Sequence, residues 1–258
     1  MNFEKETLKN REFLKAPWDK YEKDFENFKT DQEKGFQIPD FVKKPGNNSK
    51  LIDLITFEKF PVITKNINEL IMSRKSRRVF TEEEISFEKF SVLLWITNGI
   101  KSIVKKDGEN IRHFRTVPSG GSRHPFETYL YVNRVEFLEK GIYRYHPDIN
   151  KIELIKSGDF EKEMTEAALD QHMAGKAAVT FIWSVLPYRT EWRYSVLSMK
   201  TILIDVGHVC QNLYIGCEAL GLGTCAVAAY SQEKTDKLIE VDGENEFAVY
   251  MAPVGNIK

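Results

Sequence analysis

The sequence predicts an α+β fold: helices and strands mixed along the chain around one core, preceded by an N-terminal arm. Three observations carry this. Residues 201–223, TILIDVGHVCQNLYIGCEALGLG, place Ile202, Val206, Val209, Leu213 and Leu220 at helical spacing, with Gly221 at the end as a C-cap. Residues 127–135 and 141–155 alternate with β-branched and aromatic side chains, and turns are expected at 139–141 and 147–150. Residues 177–185, AAVTFIWSV, form a short, almost wholly apolar run that fits a buried strand.

The remaining elements follow in order. Residues 1–60 are charged and studded with aromatics such as Phe3, Phe13, Trp18, Tyr21, Phe36 and Phe41, with Phe25 and Phe28 spaced as one helical stripe. Around Pro39, Pro45 and Gly46 the stretch turns extended, so it reads as an arm wrapping a core domain of 61–258. An amphipathic helix is expected over 67–76, with Ile67, Leu70 and Ile71 on one face. In residues 81–100, Thr81 and Glu84 read as a capping box starting a helix that presents Phe87, Phe90, Leu93, Leu94 and Ile100. Residues 105–110 read as a polar loop and 115–125 as a turn-rich stretch. A helix over 160–172 and a final core strand over 247–257 complete the pattern. A helix as broadly apolar as 201–223, widened by Leu203, Ile204 and Ile215, belongs in the centre or in a subunit interface.

Bulk composition narrows the class. With 258 residues and 42% hydrophobic content the chain can bury a core without staples. A net charge of −1, from 37 basic and 38 acidic residues, argues against a nucleic-acid surface built on overall charge. No apolar run approaches a membrane span, and the charged opening MNFEKETLKNREFLK is no secretory signal; a cytoplasmic protein is expected. Cys210, Cys217 and Cys225 are odd in number and lack a C-x2-C pair, which points to buried thiols and neither a disulfide framework nor a metal site.

Four clusters could carry chemistry. Arg74, Lys75, Ser76, Arg77 and Arg78 place four cations and a hydroxyl together, a donor set for a dianion, although a solvated helix end looks the same. In Pro118, Ser119, Gly120, Gly121, Ser122, Arg123, His124 and Pro125, small residues let backbone approach a planar ligand; an ordinary surface loop, and a structural His124, are the competing reading. Gly221, Leu222, Gly223, Thr224, Cys225, Ala226 and Val227 permit a sharp reversal. They close a helix where a dinucleotide fingerprint would open one, and a plain C-cap would suffice. Tyr188 to Tyr194 pair Arg193 with Tyr194, able to orient a substrate or move a proton, or simply to form an aromatic loop facing solvent.

Taken in order, these clusters resemble the FMN-dependent nitroreductase superfamily and, more narrowly, its SagB-type branch of azoline oxidases. The R-[RK]-S-x-R-x-[FY] element stands as Arg74, Lys75, Ser76, Arg78 and Phe80, and P-S-x-G-x-R-H-P-x-E runs from Pro118 through Glu127. GIYRYHP, Asp205-Val206-Gly207-His208, the ALGLGTCAV ending and an arm with LKAPW and GFQIPDF are further marks. The resemblance implies a nitroreductase-like fold, with a central mixed or antiparallel sheet flanked by helices, in an intertwined homodimer holding FMN at the subunit interface. Arg74, Lys75, Ser76 and Arg78 would hold the phosphate and ribityl chain. Pro118, Ser119, Gly120, Gly121 and Arg123 would contact the flavin, often from the partner subunit, and Gly221, Leu222, Gly223, Cys225 and Ala226 would lie by its reactive edge. Tyr194 and Arg193 would be the catalytic pair.

The activity so implied is dehydrogenation of a peptide or amino-acid-derived substrate, azoline to azole, by hydride transfer to FMN, with a peptide-modifying enzyme as a possible partner. Two alternatives stand beside it: an NAD(P)H-dependent nitro or quinone reductase, and a non-catalytic flavin-binding subunit of a peptide-modifying complex. Arg193 departs from the lysine of the azoline oxidases, and arginine does not deprotonate. Residues 195–200, SVLSMK, and the chain end at Lys258 depart from the pattern as well.

Overall fold

The computed structural model of this chain describes residues 3–15, 18 and 29–258. In chain order the regular elements are α1 (Phe3–Asn10), β1 (Leu51–Asp53), α2 (Ile67–Ser73), α3 (Phe87–Asn98), β2 (Ile100–Lys106), β3 (Glu109–Arg115), β4 (Phe126–Val132), β5 (Gly141–His146), β6 (Lys151–Ser157), α4 (Glu161–Ala167), α5 (His172–Lys176), β7 (Val179–Val185), α6 (Tyr188–Tyr194), α7 (Ser198–Leu220), β8 (Leu222–Thr224), α8 (Gln232–Ile239) and β9 (Phe247–Asn256). The stripe expected from Phe25 and Phe28 lies outside the described residues.

The order β1-β6-β5-β4-β7-β9-β8 builds one seven-stranded sheet, antiparallel at every pairing. Strands β4 and β7 lie in its middle and are buried throughout. Their alternate residues feed two cores. Leu130, Val132, Phe181 and Trp183 pack with Phe90, Leu93 and Leu94 of α3 and Val206, Val209 and Leu213 of α7. On the other face Tyr129, Tyr131 and Ile182 meet Met164 and Ala167 of α4, Ala174 of α5, and Leu238 and Ile239 of α8. The α+β architecture, the paired strands, the buried run and the long helix are as the sequence predicted. Gly221 caps α7 at φ 70°, a left-handed conformation that glycine adopts without a Cβ penalty. All three cysteines are free and buried, and no helix among the described residues is long and apolar enough to cross a membrane.

Several boundaries are corrected. Thr81 does not cap a helix: Ile85 bridges Val135 and its N–H donates to the Arg134 carbonyl, which holds the preceding residues extended. Helix α3 starts after Ser86, whose hydroxyl accepts from the Lys89 N–H, and the capping box sits instead at Asn66 and Glu69, opening α2. That helix ends at Ser73, short of residue 76. Ile100 lies beyond the α3 C-cap, Gly99, in β2. The polar loop of 105–110 is the tip of a β2–β3 hairpin, turned at Asp107 and Gly108, both at positive φ; Asp-Gly is a strong hairpin signal, here masked by the charges around it. Leu169 and Asp170, at φ 53° and 60°, split the helix expected over 160–172. Within the stretch read as an arm, β1 pairs with β6 at the sheet edge.

The faces expected to be apolar are not all covered. On α2 only Leu70 is buried, while Ile67 and Ile71 are 61% and 53% exposed; on α7, Leu203 and Ile204 are about half exposed.

Candidate active site

The residues singled out in the sequence form two groups, one at each end of α7. The first is cationic. After Arg74, the C-cap of α2, the chain runs past β8: the Arg77 N–H donates to the Thr224 carbonyl, and a Cβ on Gly223 would stand 2.8 Å from the Arg77 Cδ. Tyr214 of α7 ties this segment to the turn after the helix. Its hydroxyl shares a 3.0 Å hydrogen bond with Ser76 and accepts from the Ala226 N–H at 2.8 Å, and the Arg74 guanidinium lies 5.4 Å from its ring centre. Arg77 pairs with the buried Glu218 at 3.2 Å. Lys75 and Arg78 are exposed and hold no ion pair among the described residues. Leu222 and Cys225 are buried.

The second group is built from backbone. Asp205 of α7 accepts from the Ser119 hydroxyl at 2.7 Å and from the Gly120 N–H at 3.0 Å. The Ser119 oxygen in turn accepts from the His124 N–H at 2.9 Å. Gly121, Ser122 and His124 all have positive φ. A Cβ on Gly121 would come within 2.6 Å of the Tyr194 hydroxyl and 2.7 Å of the Arg193 Cδ, so the glycine loop and the Arg-Tyr pair touch. Arg123 is buried between the rings of Phe41 and Trp192, 5.0 and 5.2 Å from their centres, and burial lowers its pKa to about 10. Pro118 is exposed beside this loop.

The stretch carrying Arg193 and Tyr194 is helix α6 and no exposed loop: Arg189, Thr190 and Trp192 are buried, and Arg189 pairs with buried Glu127 at 2.6 Å. Segment 30–36 lies against it. Gln32 accepts from Arg193 at 3.1 Å, Trp192 donates to the Phe36 carbonyl, and the Trp18 ring meets Tyr194 edge-on at 6.0 Å. A cavity of about 230 Å³ lined by Trp18, Gln32, Arg193, Tyr194 and Leu197 opens there. Burial, with Arg115 nearby, pulls the pKa of His124 down to about 3. Burial also raises the carboxyl of Asp205 above its ordinary range, against the pull of its bond from Ser119.

Asp205 and Tyr214 are nine residues apart on one helix, roughly 14 Å along its axis at about 1.5 Å per residue. Within one chain the two groups therefore stand apart. Sequence reasoning assigned no role to Tyr214 or Glu218; their signal was two polar residues at i, i+4 in the apolar C-terminal turns of the helix, after Asn212. Asp205 was noted only as part of a motif.

The fold and the two groups define an α+β protein with a preformed glycine loop near one end of a long helix and a cationic segment near the other. The chain belongs to the nitroreductase family, a family of oxidoreductases, whose profile matches residues 71–256. It is 28% identical over 189 residues, 73% of this chain and 90% of its relative, to Methanocaldococcus jannaschii MJ1384, which bears a provisional nitroreductase name. It is 22% identical over 194 residues to the trifolitoxin operon protein TfxC of Rhizobium leguminosarum bv. trifolii, covering 72% of this chain but only 54% of TfxC. Among solved structures, a provisionally named nitroreductase of Anabaena variabilis superposes with a TM-score of 0.68 at 20% identity, over 81% of this chain and 42% of that one. The Escherichia coli microcin synthetase McbBCD complex, bound to truncated pro-MccB17, superposes at 0.58 with 16% identity, over 80% and 79%. The NADPH:FMN oxidoreductase of Vibrio harveyi does so at 0.51 with 15% identity, over 73% and 67%.

Proposed function

We propose that the chain is an FMN-dependent oxidoreductase, working as a homodimer, that dehydrogenates a peptide or amino-acid-derived substrate of the azoline type. The observation that carries the flavin reading is the donor set beyond α2: Arg74, Lys75 and Arg78, with the Ser76 hydroxyl, present positive charge and hydrogen-bond donors on one short extended segment, and among the described residues only Arg77 of these cations meets a carboxylate. That chemistry fits a phosphate dianion. A Cβ on Gly120 would collide with Thr201 and one on Gly121 with Tyr194 and Arg193, so the two glycines let this loop lie directly against α7 and α6, beside the pair that would act on the substrate.

The pairing of two chains answers two facts at once. The exposed apolar residues Ile67, Ile71, Leu203 and Ile204 on α2 and α7 lack cover in one chain, and the glycine loop stands far along α7 from the cationic segment. A second copy covering those faces would bring its own glycine loop to the cationic segment of the first.

When bound, FMN supplies a two-electron acceptor for hydride. The protein's residues position the substrate and handle its proton. Tyr194, in touch with Gly121, would help with the proton released from the substrate carbon, and Arg193 would position the substrate or stabilise anionic character on it. The peptide substrate is supported by the similarity to TfxC and to the pro-MccB17-bound complex. A pyridine-nucleotide-driven reductase is the second reading; Arg193, which cannot serve as a base, favours it.

Titration of the purified protein with FMN, followed by visible spectra, tests the reading: one equivalent per chain is expected, and a protein that takes up none would end it. Tyr194→Phe should keep the flavin while turnover falls about 10²-fold or more; an undiminished rate removes Tyr194 from the chemistry. Anaerobic bleaching by NADPH faster than by any azoline peptide would shift the assignment to the reductase.

A further inference from the structure

The loop of residues 119–124 is held in a conformation its sequence does not favour. Ser122 and His124 carry side chains at φ 55° and 44°, where L residues are strained, and Gly121 between Gly120 and Ser122 sits at φ 59°. Such a backbone persists only when its surroundings over-determine it. Here one side chain does much of this. Asp205 is 5% exposed on α7, and its carboxylate takes both the Ser119 hydroxyl and the Gly120 N–H. Ser119 relays the constraint, because its oxygen receives the His124 N–H while its carbonyl receives that of Ser122. Of the five amides from Gly120 to His124, four thus have acceptors: Asp205, the Ser119 carbonyl, the Gly120 carbonyl and the Ser119 hydroxyl. The Gly121 N–H has none among the described residues. It belongs to the residue packed against Arg193 and Tyr194.

We infer that Asp205 is a positioning residue: through Ser119 and Gly120 it fixes the strained loop so that the Gly121 N–H is kept as the donor for an acceptor atom of the bound ligand. The ligand's identity as FMN rests on the proposed function; the clamp itself does not. Both bonds fall on Oδ2, with Oδ1 3.3 Å from the Gly120 nitrogen; in Asp205→Asn an N–H₂ in the Oδ1 place would face that N–H and the loss of the carboxylate charge would weaken both bonds, so the loop can relax toward negative φ. His208, with its Nδ1 4.0 Å from the Asp205 carboxylate, is the charged or titratable neighbour on the same helix, and Ser119 and Gly120 face the carboxylate from the loop. No charge on the loop replaces it.

The test uses Asp205→Asn and Ser119→Ala in the full chain, with two readouts. Hydrogen exchange of segment 119–124 in flavin-free protein should quicken in both variants, while α8, packed on the other face of the sheet, exchanges as in the parent. FMN affinity, followed by flavin fluorescence, should fall by about tenfold or more in Asp205→Asn and by less in Ser119→Ala. Unaltered exchange in 119–124 overturns the clamp. Quickened exchange with parental FMN affinity overturns its link to the ligand. Should the parent bind no FMN, the flavin reading fails and the exchange measurement alone decides the clamp. If Asp205→Asn does not fold, Ser119→Ala carries both readouts.

Discussion

The two ends of α7 present hydrogen-bond donors by opposite means. At the C-terminal end the donors are long side chains, of which Lys75 and Arg78 are exposed and hold no ion pair among the described residues. At the N-terminal end the donors are backbone amides, almost all committed, and the loop that carries them is braced by buried charge: Asp205 beneath Ser119 and Gly120, Glu127 beneath Arg189. Charge at the first end is available to a ligand because it does little for the fold. At the second, the structure itself depends on the groups that shape the site. The contrast predicts that variants at the cationic end will lose ligand and keep stability, and that variants at the loop end will lose both.

The largest effect is expected at Glu127. It is 2% exposed, pairs with Arg189 at 2.6 Å and accepts from the Lys43 N–H, so Glu127→Ala would leave a buried guanidinium unpaired. A loss of roughly 3–5 kcal/mol in urea unfolding should follow; a loss under 1 kcal/mol would show that the brace is not electrostatic. Next, Arg74→Ala combined with Arg78→Ala should weaken FMN binding by about 10–100-fold, the worth of one or two charge-assisted hydrogen bonds, while calorimetry shows an unchanged melting temperature. A drop in melting temperature as large as that of Glu127→Ala would erase the contrast.

A pH test sharpens it. Burial first, then Arg115, holds the pKa of His113 at about 4 and that of His124 at about 3. The unfolded chain, whose histidines titrate near 6.5, takes up protons that the folded chain refuses. Stability is therefore expected to be undiminished above about pH 6.5 and to fall as pH drops toward 4, by up to about 1.4 kcal/mol per pH unit for each group. His113→Phe should flatten the slope, and a protein that gains stability between pH 6.5 and 4.5 would refute this account. Both histidines lie at the loop end, so hydrogen exchange should report that end loosening first. The smallest effect is expected at Tyr214→Phe, which removes the hydroxyl joining Ser76 to the Ala226 N–H and should cost about 1 kcal/mol.

Much of this was legible from spacing alone. Helix α7 and its glycine cap, the β4–β7 core and the glycine loop follow from periodicity and turn chemistry, which are local. Where local signals compete, tertiary structure chose. Thr81 and Ser86 both offer a cap, and the bridge from Ile85 to Val135 awards it to Ser86. The Asp107-Gly108 hairpin was concealed because β2 is charged and exposed beyond Ile100 and the buried alternate positions of β3 are the polar His113 and Arg115, so no apolar alternation marks the strands. Of the site, the sequence offered the cationic segment, the glycine loop and the Arg193-Tyr194 pair. It gave no role to Tyr214 and Glu218, whose partners lie 138 and 141 residues away.

By itself, then, the sequence determined which elements form and which residue types can bind an anion, because hydrophobic period, capping and side-chain charge act over a few residues. Only the tertiary structure decided that the glycine loop touches Tyr194, that Asp205 braces that loop, and that the cationic segment stands at the far end of the same helix. Those are distances between residues remote in the chain, and they exist only once the two cores have packed around the sheet.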